Sequence, residues 1–414
     1  MQKAALWQMV SMLLQAFAIF LTGFALLHSA ETAHYALFAL SQVVQGTANG
    51  MVNALCASPL LLLMNSGATS ARPGSETGYA PDYGAFKSYG IVALAIAVIA
   101  SVVQLVLAFI LDWPLASALT IALGCGILTF RWYLRAVAQN FKQGLLVVSD
   151  LILALVQLLG LVGLFAADSL NLFNITMLLL LSAIFSCLPY VAIFIANFTG
   201  QANWRGFQSG YQQQGRPALS GMISVELATN FHSYAIVMLA GATAFAPIAA
   251  AAMFLRPMTI VQNSLVQYFR PHLVRQLTTE IANKVQIRRI VSHILQASLA
   301  AWLLNVAAIG VVAFFAVSWL WPDPSTSANF FLAFALTCGW YLLRSLRIHT
   351  SAVLQAADCF AELARVTWIS SAMLVPLVLI ALMLGSPVMS LVGAILSELW
   401  IVLRLVQLTN RLGY

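Results

Sequence analysis

Charge is what this sequence has least of. Only 7% of its 414 residues are Asp, Glu, Lys or Arg, and 62% are apolar, whereas a soluble domain carries about 25% charged residues. A water-facing surface of ordinary composition cannot be built from that balance, so a soluble fold is excluded and an integral membrane protein is expected. The formal net charge of +7 is small and scattered, which argues against nucleic acid as a partner. Cysteine is equally sparse. Cys56, Cys125, Cys187, Cys338 and Cys359 stand singly, mostly inside apolar runs, with no spacing that suggests a metal site or a disulfide framework; small packing residues are the reading they support. There is no phosphate-binding P-loop, no zinc-type His pair and no nucleophile elbow. No catalytic residue, cofactor or metal is therefore expected.

What is present is a series of long apolar runs. Spans of ~20 residues are read at 5–27, 36–64, 89–111, 114–135, 145–166, 174–198, 218–240, 243–269, 291–320, 328–350, 363–384 and 387–409. The basic residues test this count. Lys3 precedes span 1; Arg72 and Lys87 fall between spans 2 and 3; Arg131, Arg135 and Lys142 at the 4–5 connection. Arg205 and Arg216 lie between spans 6 and 7, and Arg270, Arg275, Lys284, Arg288 and Arg289 between 8 and 9. Arg344, Arg347 and Arg365 fall at the 10–11 connection, and Arg404 and Arg411 at the end. The odd-numbered connections carry none. By the positive-inside rule both termini and every even connection are cytoplasmic. The opposite connections, such as His28–Tyr35 and Ala167–Leu172, are short, which leaves no room for a folded external domain. Trp113, Trp319 and Trp321 sit at the level of an outer aromatic belt. Span 1 is too long, and lacks a convincing small-residue cleavage site, to read as a removable signal peptide.

Polarity inside the spans is concentrated in four of them. Span 1 carries Gln8, Ser11, Gln15 and Thr22 on one helical face, and span 2 carries Gln42, Gln45, Asn49 and Asn53. Span 7 presents Glu226, Thr229, Asn230 and Ser233; span 8 presents Arg256, Asn263 and Gln267, with Pro257 as a kink. Amides in hydrocarbon need partners or water. For each span alone, helix-to-helix hydrogen bonding and cavity lining are both open; together, equivalent places in two halves favour a shared central cavity. Glu226 and Arg256 lie equally far from a turn at Gly241, so an antiparallel hairpin puts them at equal depth and an ion pair between them is expected. Ionised groups so deep are costly and normally face a partner or a wet cavity.

Elsewhere the chain reads more plainly. Residues 65–88, rich in Gly, Pro and Ser, form a cytoplasmic loop. Arg131 and Asp150 are placed to form a structural ion pair near the cytoplasmic face. Residues 270–290 read as a short basic helix at the headgroups, Glu398 as an acid without an assignable partner, and His232 as a packing residue. A polar stretch at 201–217 divides 1–200 from 218–414, six spans on each side. The expected fold is all-α integral membrane: twelve transmembrane helices in two six-helix lobes around a central cavity.

Three stretches carry a family resemblance. HYALFALSQVVQGTANGMVNAL, GRPALSGMISVELATNFHSYAIVMLAGATAFAPIAAAAMFLRP and LQAADCFAELARVTWISSAMLVPLVLIALMLG resemble the second helix, the start of the second half and the lead into helix 11 of the polysaccharide-export flippases. These belong to the multidrug/oligosaccharidyl-lipid/polysaccharide exporter superfamily. The resemblance implies an inner-membrane, multi-pass transporter that flips a lipid-linked oligosaccharide diphosphate to the outer leaflet by alternating access. It implies a lipid-linked glycan as substrate, and membrane lipid and other polysaccharide-assembly proteins as partners. By position Arg256 matches the cavity cation that attracts the diphosphate. Glu226 would neutralise it at rest, and Gln8, Gln15, Gln42, Gln45, Asn49, Asn53, Asn230 and Asn263 would hydrogen-bond the sugars. A cation-coupled multidrug antiporter of the same fold is the alternative, with Glu226 or Glu398 binding the coupling ion. A membrane polymerase or ligase is disfavoured, because the outer connections lack the arginine-bearing loop such enzymes carry.

Overall fold

The computed structural model describes residues 2–60, 83–141, 143–198, 201–278, 284–315, 320–322, 327–357 and 359–411, and the side chains of most of these from Leu13 onward. Most of the 65–88 loop therefore lies outside the described residues, as does Trp319. The described chain is helical: α1 Gln2–Ser29, α2 Thr32–Val52, α3 Tyr83–Ile110, α4 Leu115–Phe141, α5 Gln143–Ala166, α6 Leu172–Cys187, α7 Val191–Phe198, α8 Trp204–Gly210, α9 Arg216–Ala240, α10 Ala242–Thr278, α11 Lys284–Phe315, α12 Ser327–Ala356, α13 Phe360–Met383 and α14 Ser390–Arg411. The expected spans fall on long helices except 174–198, which is divided into α6, a 3-10 turn at Leu188–Tyr190 and α7; α8 is a short addition.

Among the described residues, stretches within α3, α4, α5, α6, α11, α12, α13 and α14 are long and apolar enough to cross a membrane on length and composition alone. The remaining long helices are α1, α2, α9 and α10. Of α1, the described side chains cover only the apolar stretch Leu13–Ser29; α2, α9 and α10 carry amides, Glu226 and Arg256, and that polarity lowers their hydropathy.

The short connections share one way of stopping a helix. Asp112 and Asp168 adopt φ of 53° and 48°, and Gly241 and Gly385 adopt 88° and 73°. After α3, α5 and α13 the chain then donates back one full turn: Trp113 N to Ala108 O at 2.9 Å, Ser169 N to Leu164 O at 3.0 Å and Ser386 N to Ala381 O at 3.2 Å. This left-handed stop satisfies carbonyls that would otherwise be orphaned at the helix end. It also lets apolar helices reverse within a few residues.

The chain forms two compact units, Met1–Ala18 with Ser41–Met222, and Ile19–Leu40 with Ile223–Tyr414. In the first unit, Val52, Cys56, Leu60, Phe86, Tyr89, Tyr133, Leu146 and Tyr190 belong to one buried cluster. The Tyr133 hydroxyl donates to Phe86 O at 2.7 Å. Phe207 of α8 meets the Tyr89 ring edge-on at 4.9 Å, so the Gln-rich stretch after α7 is helical and joined to this core. The apolar helices here are tied by hydroxyls, including Thr120 to Thr176 at 2.8 Å and Gln157 to Ser182 at 3.2 Å, as expected where lipid gives no hydrophobic drive between helices.

In the second unit the tip of the α1–α2 hairpin packs on α10. Phe20 and Phe24 meet Phe254 at 6.0 Å and 6.5 Å. A Cβ on Gly23 would lie 2.8 Å from Met253 Sδ, so a larger residue there would have to displace the Met253 side chain. Helix α10 does not stop at the headgroups. Residues 270–278, expected to open a separate surface helix, continue it through Pro271, because Leu273 is drawn into a buried cluster with Ile287, Ile294 and Ala352.

Candidate functional site

The deep arginine precedes Pro257 in α10, which is helical from Ala242 to Thr278. Pro257 removes one backbone donor, and in the turn before it Asn305 Nδ2 of α11 donates to Phe254 O at 3.2 Å. Arg256 lies fourteen residues after Ala242, and Tyr341 fourteen after Ser327. At a rise of ~1.5 Å per residue both are about 21 Å along their helices. The two helices cross by Gln262 Nε2, which donates to Ser345 Oγ at 2.8 Å. Among the described residues, Tyr341 and Tyr35 lie near enough to act electrostatically on the Arg256 guanidinium. The Tyr35 hydroxyl is held one turn before Arg256, on Met253 Sδ at 3.7 Å. A second cation shares these walls: Arg344 Cζ lies 5.4 Å from the Tyr341 ring centre and 5.5 Å from that of Trp340. Next to Pro257 is a cavity of about 260 Å³ lined by Phe20, Phe24, Phe254, Pro257 and Leu320, among others.

Glu226 occupies a different environment. Its Oε1 accepts from Asn230 Nδ2 at 2.7 Å, one turn along α9, while Arg256 has phenols around it. At equal depth from the turn, the two residues thus have different described neighbours. Residue count from the Gly241 turn sets depth, but the direction a side chain leaves its helix turns by ~100° per residue, and depth alone does not align two side chains. His232 is buried against the Trp340 ring at 5.3 Å, as a packing residue would be.

In the first unit, Gln42 and Gln45 line a small space with Ile121, Cys125 and Leu179, and Gln15 is half-buried. Asn49 Oδ1 is buried with no hydrogen-bond partner among the described residues. Asn53, exposed, accepts from Trp132 Nε1 at 2.8 Å, inside a π-helical turn at Asn53–Ala57. The side chains of Gln8 and Asn263 lie outside the described residues.

Ion pairs hold both units together internally. Arg131 pairs with Asp150 as expected, and Arg135, not anticipated, joins at 3.0 Å. Arg131 Nε donates to Ser149 Oγ at 3.0 Å, which donates to Ser186 O at 2.6 Å. Glu398 has a partner after all. Arg347 reaches it with Nε at 3.1 Å and a second nitrogen at 3.2 Å. The five cysteines are free thiols.

No family model and no curated protein matches the sequence. Solved structures do match in shape. One, an outward-facing multidrug-resistance MATE transporter of the MOP superfamily, superposes with a TM-score of 0.63 at 13% identity, covering 99% of this chain and 94% of its own. The fold is that of the MATE transporters. An inward-facing MATE transporter gives 0.60 at 14% identity, covering 97% of this chain and 96% of its own. A MOP-superfamily transporter from Pyrococcus furiosus, described as having a binding pocket of reversed polarity, gives 0.59 at 12% identity, covering 98% and 96%. The MATE fold has twelve helices in two lobes, which gives α1, α2, α9 and α10 a place beside the eight helices marked by length and composition.

Proposed function

We propose that this protein moves a lipid-linked oligosaccharide diphosphate from the cytoplasmic to the outer leaflet of the plasma membrane by alternating access. The observation that carries the reading is the setting of Arg256. A guanidinium about 21 Å into α10, with tyrosines as its electrostatic neighbours, keeps its fork of donors available for a diphosphate. Arg344, on the same Tyr341 ring, adds a second cation on one edge of the site. The phenols and the Trp340 indole supply flat faces and hydroxyls suited to sugars. The MATE fold, known in outward- and inward-facing forms in the neighbours, supplies a scaffold for alternating access.

A second reading has its own observation. Glu226, held by Asn230 at 2.7 Å, is an intramembrane acid of the kind that binds a coupling proton or sodium ion, and supports a cation-coupled antiporter. Binding separates the two. The purified protein is expected to bind a short-chain polyprenyl-diphosphate oligosaccharide at least about tenfold more tightly than the same lipid with an uncharged linkage, since one charge-assisted contact is worth that much. Equal affinity for the two lipids, together with tight binding of an organic cation, would favour the antiporter.

A further inference from the structure

At the open end of the α13–α14 hairpin, away from the turn at Gly385, there is a cleft of about 240 Å³ whose lining includes Arg365, Arg404, Arg411, Gln407, Trp400 and Ile369. Three guanidiniums line it and no carboxylate does; Glu362, one turn before Arg365 on α13, is not part of it. Arg404 stacks on the Trp400 ring at 4.3 Å and donates to Gln407 Oε1 at 3.1 Å, which fixes its direction. Trp400 Nε1 is buried and has no hydrogen-bond partner among the described residues. A buried indole donor without a protein partner, beside three guanidiniums, makes a lining of donors suited to an anion.

Position narrows the anion. Arg365 lies five residues into α13 and Arg404 seven before the last residue of α14, so all three arginines stand within ~11 Å of the open helix ends. That is headgroup depth, and by the positive-inside rule it is the cytoplasmic leaflet. Toward the middle of the same helices Trp368, Ile369, Leu399 and Leu403 are exposed and offer an apolar track for acyl chains. A soluble anion would use the charge but not the track.

We infer that this cleft binds the phosphodiester headgroup of an anionic phospholipid of the inner leaflet. The inference is independent of the transport reading above. It is tested by native mass spectrometry of the full-length protein titrated with phosphatidylglycerol or with phosphatidylcholine of the same chains. Phosphatidylglycerol is expected to bind roughly tenfold more tightly, each basic residue near the surface contributing a few-fold. Arg365→Gln/Arg404→Gln/Arg411→Gln should erase that preference, and the corresponding triple lysine variant should keep most of it. Equal binding of the two lipids by the wild type, or an undiminished preference in the glutamine variant, overturns the proposal. So does complete displacement of the lipid by millimolar inorganic phosphate, which would make the site one for a soluble anion. If the triple change unfolds the chain, Arg365→Gln and Arg411→Gln alone, both at exposed positions, should each lower the preference a few-fold, and no decrease in either also overturns it.

Discussion

Arg256→Ala is expected to slow protein-dependent movement of lipid-linked oligosaccharide diphosphate on the order of 100-fold, the cost of removing a central arginine anchor, at unchanged expression. The fold should survive, because the described groups that act on Arg256 are phenols, which stay neutral when it is removed. Arg256→Lys keeps the charge but not the fork of donors, and should recover only part of the rate. Arg344→Ala should cost less, about tenfold, since that side chain already spends part of its interaction on the Trp340 and Tyr341 rings. Export measured in cells at matched protein level, with thermal melting of each purified variant as the folding control, reads all three. Export at the wild-type rate by Arg256→Ala would remove this residue from the site.

The largest effect on stability is expected at Asp150. It pairs with both Arg131 and Arg135, and Arg131 and Asp150 are 1% and 0% exposed. Asp150→Ala leaves two guanidiniums buried without a counter-charge, and breaking such a pair from one side costs about 3–5 kcal/mol. The variant should melt well below the wild type, or fail to accumulate as a monodisperse species in detergent. Replacing all three charges together, as Arg131→Met/Arg135→Met/Asp150→Leu, should restore much of the loss, because apolar groups of similar volume need no counter-charge. Glu398→Ala makes the contrast. Arg347 is 18% exposed and the only guanidinium on Glu398 among the described ion pairs, so a single, less enclosed charge is stranded and the loss should be smaller. Equal melting of Asp150→Ala and wild type would show that the cluster contributes no stability.

The helices were legible because hydropathy and the alternation of basic residues are properties of the chain alone. The Gly241 reversal and the Arg131–Asp150 pair were legible too, since both follow from counting residues along adjacent helices. Side-chain direction was not. Glu226 and Arg256 share a distance from one turn but leave their helices toward different neighbours. Arg347 and Glu398 are 51 residues apart, on α12 and α14, which no spacing rule joins. Arg344 falls near the end of the 328–350 span and reads with the cytoplasmic connection; the helix runs to Ala356, which places Arg344 further from its end, and the spacing of Tyr341, Arg344 and Ser345 on one face is the signal for it. Tyr35 and Tyr341 are not legible as site residues, because a tyrosine inside an apolar run reads first as packing. The docking of the α1–α2 tip on α10 depends on Gly23 meeting Met253, a contact between residues far apart in sequence that a local pattern does not reveal.

The measurement that bears most directly on the proposed activity is headgroup protection in sealed vesicles. Purified protein is reconstituted with a fluorescent lipid-linked oligosaccharide diphosphate, and a membrane-impermeant reagent reports which leaflet holds the headgroup. The account predicts protein-dependent exchange of the lipid between leaflets, lost in Arg256→Ala and absent from protein-free vesicles. No exchange of that lipid with or without a proton or sodium gradient, alongside gradient-driven efflux of a small organic cation from the same vesicles, would contradict it.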